Sequence, residues 1–158
     1  MVCIVKLGSP EKIIGSVDNM IKQILERLAL NFRQAILSCE KNKLPISLKS
    51  FPAGSCGDTS ILLGKYLQVN GFNDVRYICG WNDTQSHAWL LVDRFIVDIT
   101  ADQFSKILNG VIVTDDHTWY RQFSIDSDHS ADFEIYDKYA SSYMQSAYNY
   151  ITSKLKSN

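Results

Sequence analysis

From Val17 onward, apolar residues recur every three or four positions: Val17, Met20, Ile21, Ile24, Leu25, Leu28, Phe32, Ala35 and Ile36. That spacing predicts a long helix with one buried face. Asp18, Lys22, Gln23, Glu26, Arg27, Arg33 and Gln34 fall on its other faces. Ser9-Pro10 supplies a start, with serine as N-cap and proline at the first helical position, and "EKNKLP" at Glu40 to Pro45 supplies the stop. Leu30 and Leu37 form a second stripe on the far side. The expectation is a helix covered on two sides; the alternative is a stripe that meets a partner.

The period then changes. "TSILLGKYLQVNG" reads as a second helix, closed at Asn70-Gly71. "DVRYICGW", "HAWLLV" and "FIVDIT" are rich in branched and aromatic residues and read as strands. The polar stretch "NDTQS" ahead of His87 reads as a loop. Asp93-Arg94 predicts a tight hairpin between the last two strands, with Val92 opposite Phe95, Trp89 opposite Asp98 and His87 opposite Thr100. Alternation then sorts the hairpin. His87, Trp89, Leu91, Ile96, Asp98 and Thr100 share one face; Ala88, Leu90, Val92, Phe95, Val97 and Ile99, all apolar, share the other.

Further along, "GVIVTD" reads as a strand, "TWYRQF" as a candidate strand and "FSIDSDHSADFE" as loop. A last helix is predicted from about Tyr136 to Leu155. Tyr136, Tyr139, Tyr143, Ala147, Tyr150 and Ile151 keep helical spacing, with acids at its front and lysines at its back. The tyrosine stripe is expected to pack into the core.

Composition narrows the class. The chain has 158 residues, 46% hydrophobic and 21% charged, which fits one globular domain over residues 1–158. A formal net charge of -1 gives no basic surface for nucleic acid and no basic arm for a membrane. The first ten residues are too short and weakly charged for a signal peptide, and no apolar run reaches membrane length. Cys3, Cys39, Cys56 and Cys79 are widely spaced, as free thiols in a reducing compartment are. The expectation is a cytoplasmic protein, or one delivered into another cell as an effector. Neither a metal nor another cofactor is expected, because Cys56, Cys79 and His87 lack zinc spacing.

Cys56 is the residue that changes the picture. It sits in "GSCGDTS", between glycines, where a turn becomes the second helix. Unpaired N–H groups and a positive dipole at a helix start favour a thiolate. A lone cysteine is more often a small buried hydrophobe, so a nucleophile needs a base beside it. Asp58 opposes a thiolate if the two side chains meet; otherwise it serves the helix start. Of the histidines, His117 and His129 lie in turn-like or solvated stretches, whereas His87 opens a strand at a loop mouth. In the predicted hairpin Asp98 is the diagonal neighbour of His87, within side-chain reach. An aspartate there can hold the imidazole for proton transfer, the alternative being a structural bond to Thr100 or Trp89.

These segments together resemble the papain-like transglutaminase superfamily of cysteine enzymes. "GSCGDTSILLGKYL", "GFNDVRYICGW", "SHAWLLV" and "FIVDIT" are similar, in order, to its cysteine helix, following strand, histidine strand and aspartate strand. "DITADQF" followed by "VIVTDDHTW" is similar to bacterial proteins of unknown role with this core. The resemblance covers about residues 51–104. It implies an α+β fold, with an antiparallel sheet, the nucleophile helix packed on it and long helices around. It implies a Cys56–His87–Asp98 triad acting by acyl transfer on an amide of a protein or peptide: hydrolysis, deamidation or transamidation. Trp81 and Trp89 would line a cleft for a side chain such as glutamine, or pack. The glutamine that papain-type enzymes carry shortly before the cysteine is absent; Ser50 occupies that stretch. A catalytically inactive module that binds a protein partner is the alternative.

Overall fold

The computed structural model describes residues 10–155. Helix α1 spans Pro10–Leu37, and Leu25, Leu28, Ala29, Phe32, Ala35 and Ile36 are its buried stripe. Ser9, the expected N-cap, lies outside the described residues. Two expectations for this helix are corrected. Val17 and Met20 are exposed, because the first half of α1 runs past the core. Leu30 and Leu37 are also exposed, at 48% and 53%, so none of the described residues covers a second side.

Helix α2, Cys56–Val69, is followed by strands β1, Val75–Asn82, and β2, Gln85–Val92. "NDTQS" is not a loop but the corner of a hairpin. Asn82 pairs with Gln85 across a two-residue turn, and the Asn82 Oδ1 accepts the Gln85 N–H. Strand β3, Phe95–Asp98, turns back at Asp93-Arg94 in the predicted register, Val92 opposite Phe95 and Leu90 opposite Val97. The ladder ends there. His87 therefore does not pair with Thr100, which turns away into a 3-10 turn at Ala101–Gln103. Strand β4, Ile112–Thr114, adds to β3, and β5, Ser124–Ser130, adds to β1. "TWYRQF" forms a 3-10 turn, Trp119–Gln122, rather than a strand.

The chain is thus α+β, with a five-stranded antiparallel sheet in the order β4-β3-β2-β1-β5. Its third helix, α3, spans Lys138–Thr152, capped by the Asp137 carboxylate on the N–H groups of Tyr139 and Ala140. All three helices cover one sheet face, where Leu62, Leu67, Leu90, Val92, Phe95, Val97, Met144 and Ile151 join one core. The tyrosine stripe of α3 is corrected: Met144, Ala147 and Ile151 face inward, while Tyr136, Tyr139 and Tyr143 are exposed. The opposite sheet face carries a smaller aromatic cluster, Trp89, Tyr120 and Phe123 with Ile78 and Ile96. None of the described helices is long and apolar enough to cross a membrane.

Candidate active site

Cys56 is the first residue of α2 and is half-buried. Gly54, at φ +65°, makes the turn that leads into it, a conformation side chains resist. Ser55 fixes the entry: its Oγ donates to Pro52 O, and its carbonyl accepts from Thr59 N–H at 2.9 Å. Asp58 turns away from the sulfur and accepts a hydrogen bond from the Ser47 hydroxyl. Its charge is therefore committed elsewhere.

The early end of β3 explains how a helix residue reaches the sheet. Residues 87 and 88 of β2 have no β3 partner. The start of α2 fills that space. Ser60 Oγ donates to Ala88 O at 3.3 Å. The sulfur thereby arrives beside the His87 ring and the Ala88 N–H, close enough for both to shift its pKa.

His87 and Asp98 are closed off from solvent, at 0% and 1% exposure. The apolar face of the hairpin was expected to be the buried one; both faces are buried. Phe104 and Trp119 meet the His87 ring edge-on, at 4.9 and 5.9 Å between centroids, and Phe123 lies at 5.7 Å. Gly80, directly opposite His87, makes that cover possible. A Cβ at Gly80 would come within 2.9 Å of both Phe123 Cβ and Ser124 O.

Asp98 holds the ring from the far side. His87 Nε2 is 2.7 Å from Asp98 Oδ2, and Nδ1 is 3.2 Å from Gln103 Nε2. Tyr120 OH donates to the same carboxylate oxygen at 3.0 Å. Thr100 donates to the other through its N–H at 2.8 Å and its hydroxyl at 3.1 Å. A buried carboxylate with its lone pairs occupied in this way stays where it is put. Arg33, from α1, pins the segment that follows. Its guanidinium grips Asp102 at 3.0 and 2.7 Å and bonds the carbonyls of Ile99 and Gly110.

The protonation states follow from these contacts. Burial works against a charged His87, but the Asp98 hydrogen bond and charge, with those of Cys56, outweigh it and raise the imidazole from 6.5 to about 9. Burial likewise works against a Cys56 thiolate. The hydrogen bond and charge of His87, the Ala88 N–H and the Gln103 amide prevail and bring the thiol below its ordinary 9.0. Cys39 and Cys79 move the other way, pushed up chiefly by burial. Both shifts favour a thiolate beside an imidazolium. Such a pair can attack an electrophilic carbon and hand a proton to a leaving group.

The three residues expected to act together, Cys56, His87 and Asp98, are therefore contiguous. The tryptophans are not part of that contact in the expected way. Trp89 is 4% exposed and packs between His87, Tyr120 and Phe123, so it lines no open cleft beside the sulfur. Trp81 is 54% exposed beside Asn82, Asp83 and Gln122. His117 binds the Arg94 carbonyl and His129 stacks on Tyr77, both away from the triad. Sequence reasoning missed Tyr120, Arg33 and Gln103. Gln103 alone stood near a visible signal, inside "DITADQF". Compared with models of known families, with curated proteins and with solved structures, the chain matches none.

Proposed function

We propose that this protein is a cysteine-dependent acyl-transfer enzyme acting on an amide of a protein or peptide, with a core of the papain-like transglutaminase type. The observation that carries the reading is the His87 ring, buried and bonded to Asp98 at Nε2, with Cys56 close enough that each shifts the other's pKa. In the first step the Cys56 thiolate attacks the amide carbonyl carbon and an S–C bond forms. His87 Nδ1 gives its proton to the departing nitrogen as the C–N bond breaks, leaving a thioester. His87, now neutral, then takes a proton from water or from a second amine, whose attack releases the acyl group and restores the thiol. Water on a side-chain amide gives deamidation and on a backbone amide hydrolysis; an amine gives transamidation.

A binding module without catalysis is the second reading. The exposed Leu30 and Leu37 stripe on α1, with the exposed Tyr139 and Tyr143 of α3, favours it. Brief treatment of the folded protein with iodoacetamide at pH 6, followed by peptide mapping, separates the two. An enzyme labels at Cys56 well ahead of Cys3, Cys39 and Cys79 and loses that lead in His87→Ala. Equal labelling of all four thiols contradicts the enzyme.

A further inference from the structure

Attack on a carbonyl moves charge from sulfur to oxygen, so a site of this kind needs donors for the new oxyanion as well as for the thiolate. In the stretch before Cys56, Ser55 Oγ is spent on Pro52 O and Ser47 Oγ on Asp58. Gln103 reaches the sulfur from the other side of the site. It follows Asp98 by five positions and sits at the end of the 3-10 turn that Arg33 anchors through Asp102. Its backbone N–H is tied to Thr100 O at 3.1 Å.

The carboxamide itself is oriented. Gln103 Oε1 accepts the N–H of Gly54 at 3.3 Å, which commits the oxygen to the loop before Cys56. Nε2 is thereby turned toward the reacting groups, 3.2 Å from His87 Nδ1, and its amide helps to hold the Cys56 thiol below its ordinary value. When the pair is ionised both nitrogens carry hydrogen, so they do not bond each other and both are free to donate to the sulfur. Gln103 also lines a groove of about 400 Å³ with Gln85, Phe104, Ser105, Lys106 and Trp119. Its amide thus stands between the groove and the His87 ring.

We propose that Gln103 is a catalytic residue whose Nε2–H donates first to the Cys56 thiolate and then to the carbonyl oxyanion, with the 400 Å³ groove as the seat of a peptide segment. As the S–C bond forms, the carbonyl π pair moves to oxygen and the donor passes from sulfur to that oxygen; no proton is transferred in this exchange. The proposal rests on the acyl-transfer reading of Cys56. It adds a donor from a part of the chain after the aspartate strand, where none was expected.

Two reactions of the same thiol test it. The thiolate attacks iodoacetamide at its saturated carbon, displacing iodide with no oxyanion; it attacks the carbonyl of p-nitrophenyl acetate through an oxyanion that expels p-nitrophenolate. Gln103→Met keeps the side chain's length and deletes the N–H. The expected result is a loss of about 100-fold or more in acetylation of Cys56, set by the usual weight of one oxyanion donor. Alkylation should fall by no more than about fivefold, the share of a single donor to the thiolate. Equal losses in both reactions would overturn the proposal and leave Gln103 a support for the thiolate. Faster acetylation would also overturn it, making Gln103 a cover over the sulfur, and so would no change in either. Failure of the wild-type protein to alkylate selectively at Cys56 would instead defeat the acyl-transfer reading itself.

Discussion

Replacing Asp98 by asparagine keeps its shape and removes only its charge and half of its accepting capacity. The carboxylate takes hydrogen bonds on both oxygens: His87 and Tyr120 on one, two groups of Thr100 on the other. An asparagine that keeps its oxygen toward Thr100 turns its NH2 toward His87 Nε2. The ring then has to present a lone pair there and place its single proton on Nδ1. In that tautomer it cannot take the proton of Cys56. The cost can be sized from the imidazole. Its rise from 6.5 to about 9 is on the order of 3 kcal/mol in favour of imidazolium, against the opposing effect of burial, and Asp98 is the larger of its two supporters. Losing it should lower the thiolate fraction at pH 7 by up to about 100-fold, the limit set by a thiol returned to its ordinary 9.0. The assay is the second-order rate of iodoacetamide with Cys56 between pH 5 and 10, as approximate limits chosen to bracket both groups. Wild type should show an acid limb below 9.0, and Asp98→Asn should push that limb up to 9.0 or beyond. A variant that reacts within about threefold of wild type at pH 7, while still folded, would refute the reasoning.

Two other outcomes follow from the same geometry. Tyr120→Phe removes one donor from a buried carboxylate and should cost about 1.5–3 kcal/mol of unfolding free energy in urea, yet change Cys56 alkylation little, because the His87–Asp98 bond remains. Stability against pH depends on both partners. His87, raised in the fold, stabilises fully below 6.5 and loses that contribution as pH rises through about 9. Cys56, lowered in the fold, stabilises above 9.0 and loses that contribution as pH falls through its folded value. Above both 6.5 and the folded value of Cys56, and below about 9, folded and unfolded chains each hold one proton on the pair, so wild-type stability should be flat there. Cys56→Ala keeps only the histidine contribution and should lose stability as pH climbs through the same window.

Much of the site was visible in the chain because its parts break local rules. An aspartate at the end of a branched strand, a histidine heading an apolar one and a cysteine between glycines at a helix start each call for a reason. The hairpin register that joins two of them follows from strict alternation around Asp93-Arg94. What stayed hidden depends on contacts between distant segments. Strand β5, "SIDSDHS", lacks an apolar face because it is an edge strand whose residues are largely solvent-facing, with Arg76 paired to Asp128 across it. The cover of Phe104, Trp119, Tyr120 and Phe123 over His87 comes from loops and a 3-10 turn, which carry no period. Arg33 looked like one more polar residue on a helix flank, yet its guanidinium organises the turn that follows β3. Leu30, Leu37 and Tyr139 fit an apolar stripe but face solvent, since spacing cannot say how far the core extends.

The shared proton of Cys56 and His87 is the point on which the whole account turns, and the ring nitrogens of His87 report it directly. Nitrogen-15 shifts of the His87 imidazole should show a fully protonated ring at pH 7.5 that titrates near 9, and a ring that loses its proton at lower pH when Cys56 is replaced by alanine. A neutral His87 at pH 7.5, with a titration indifferent to Cys56, would contradict the account.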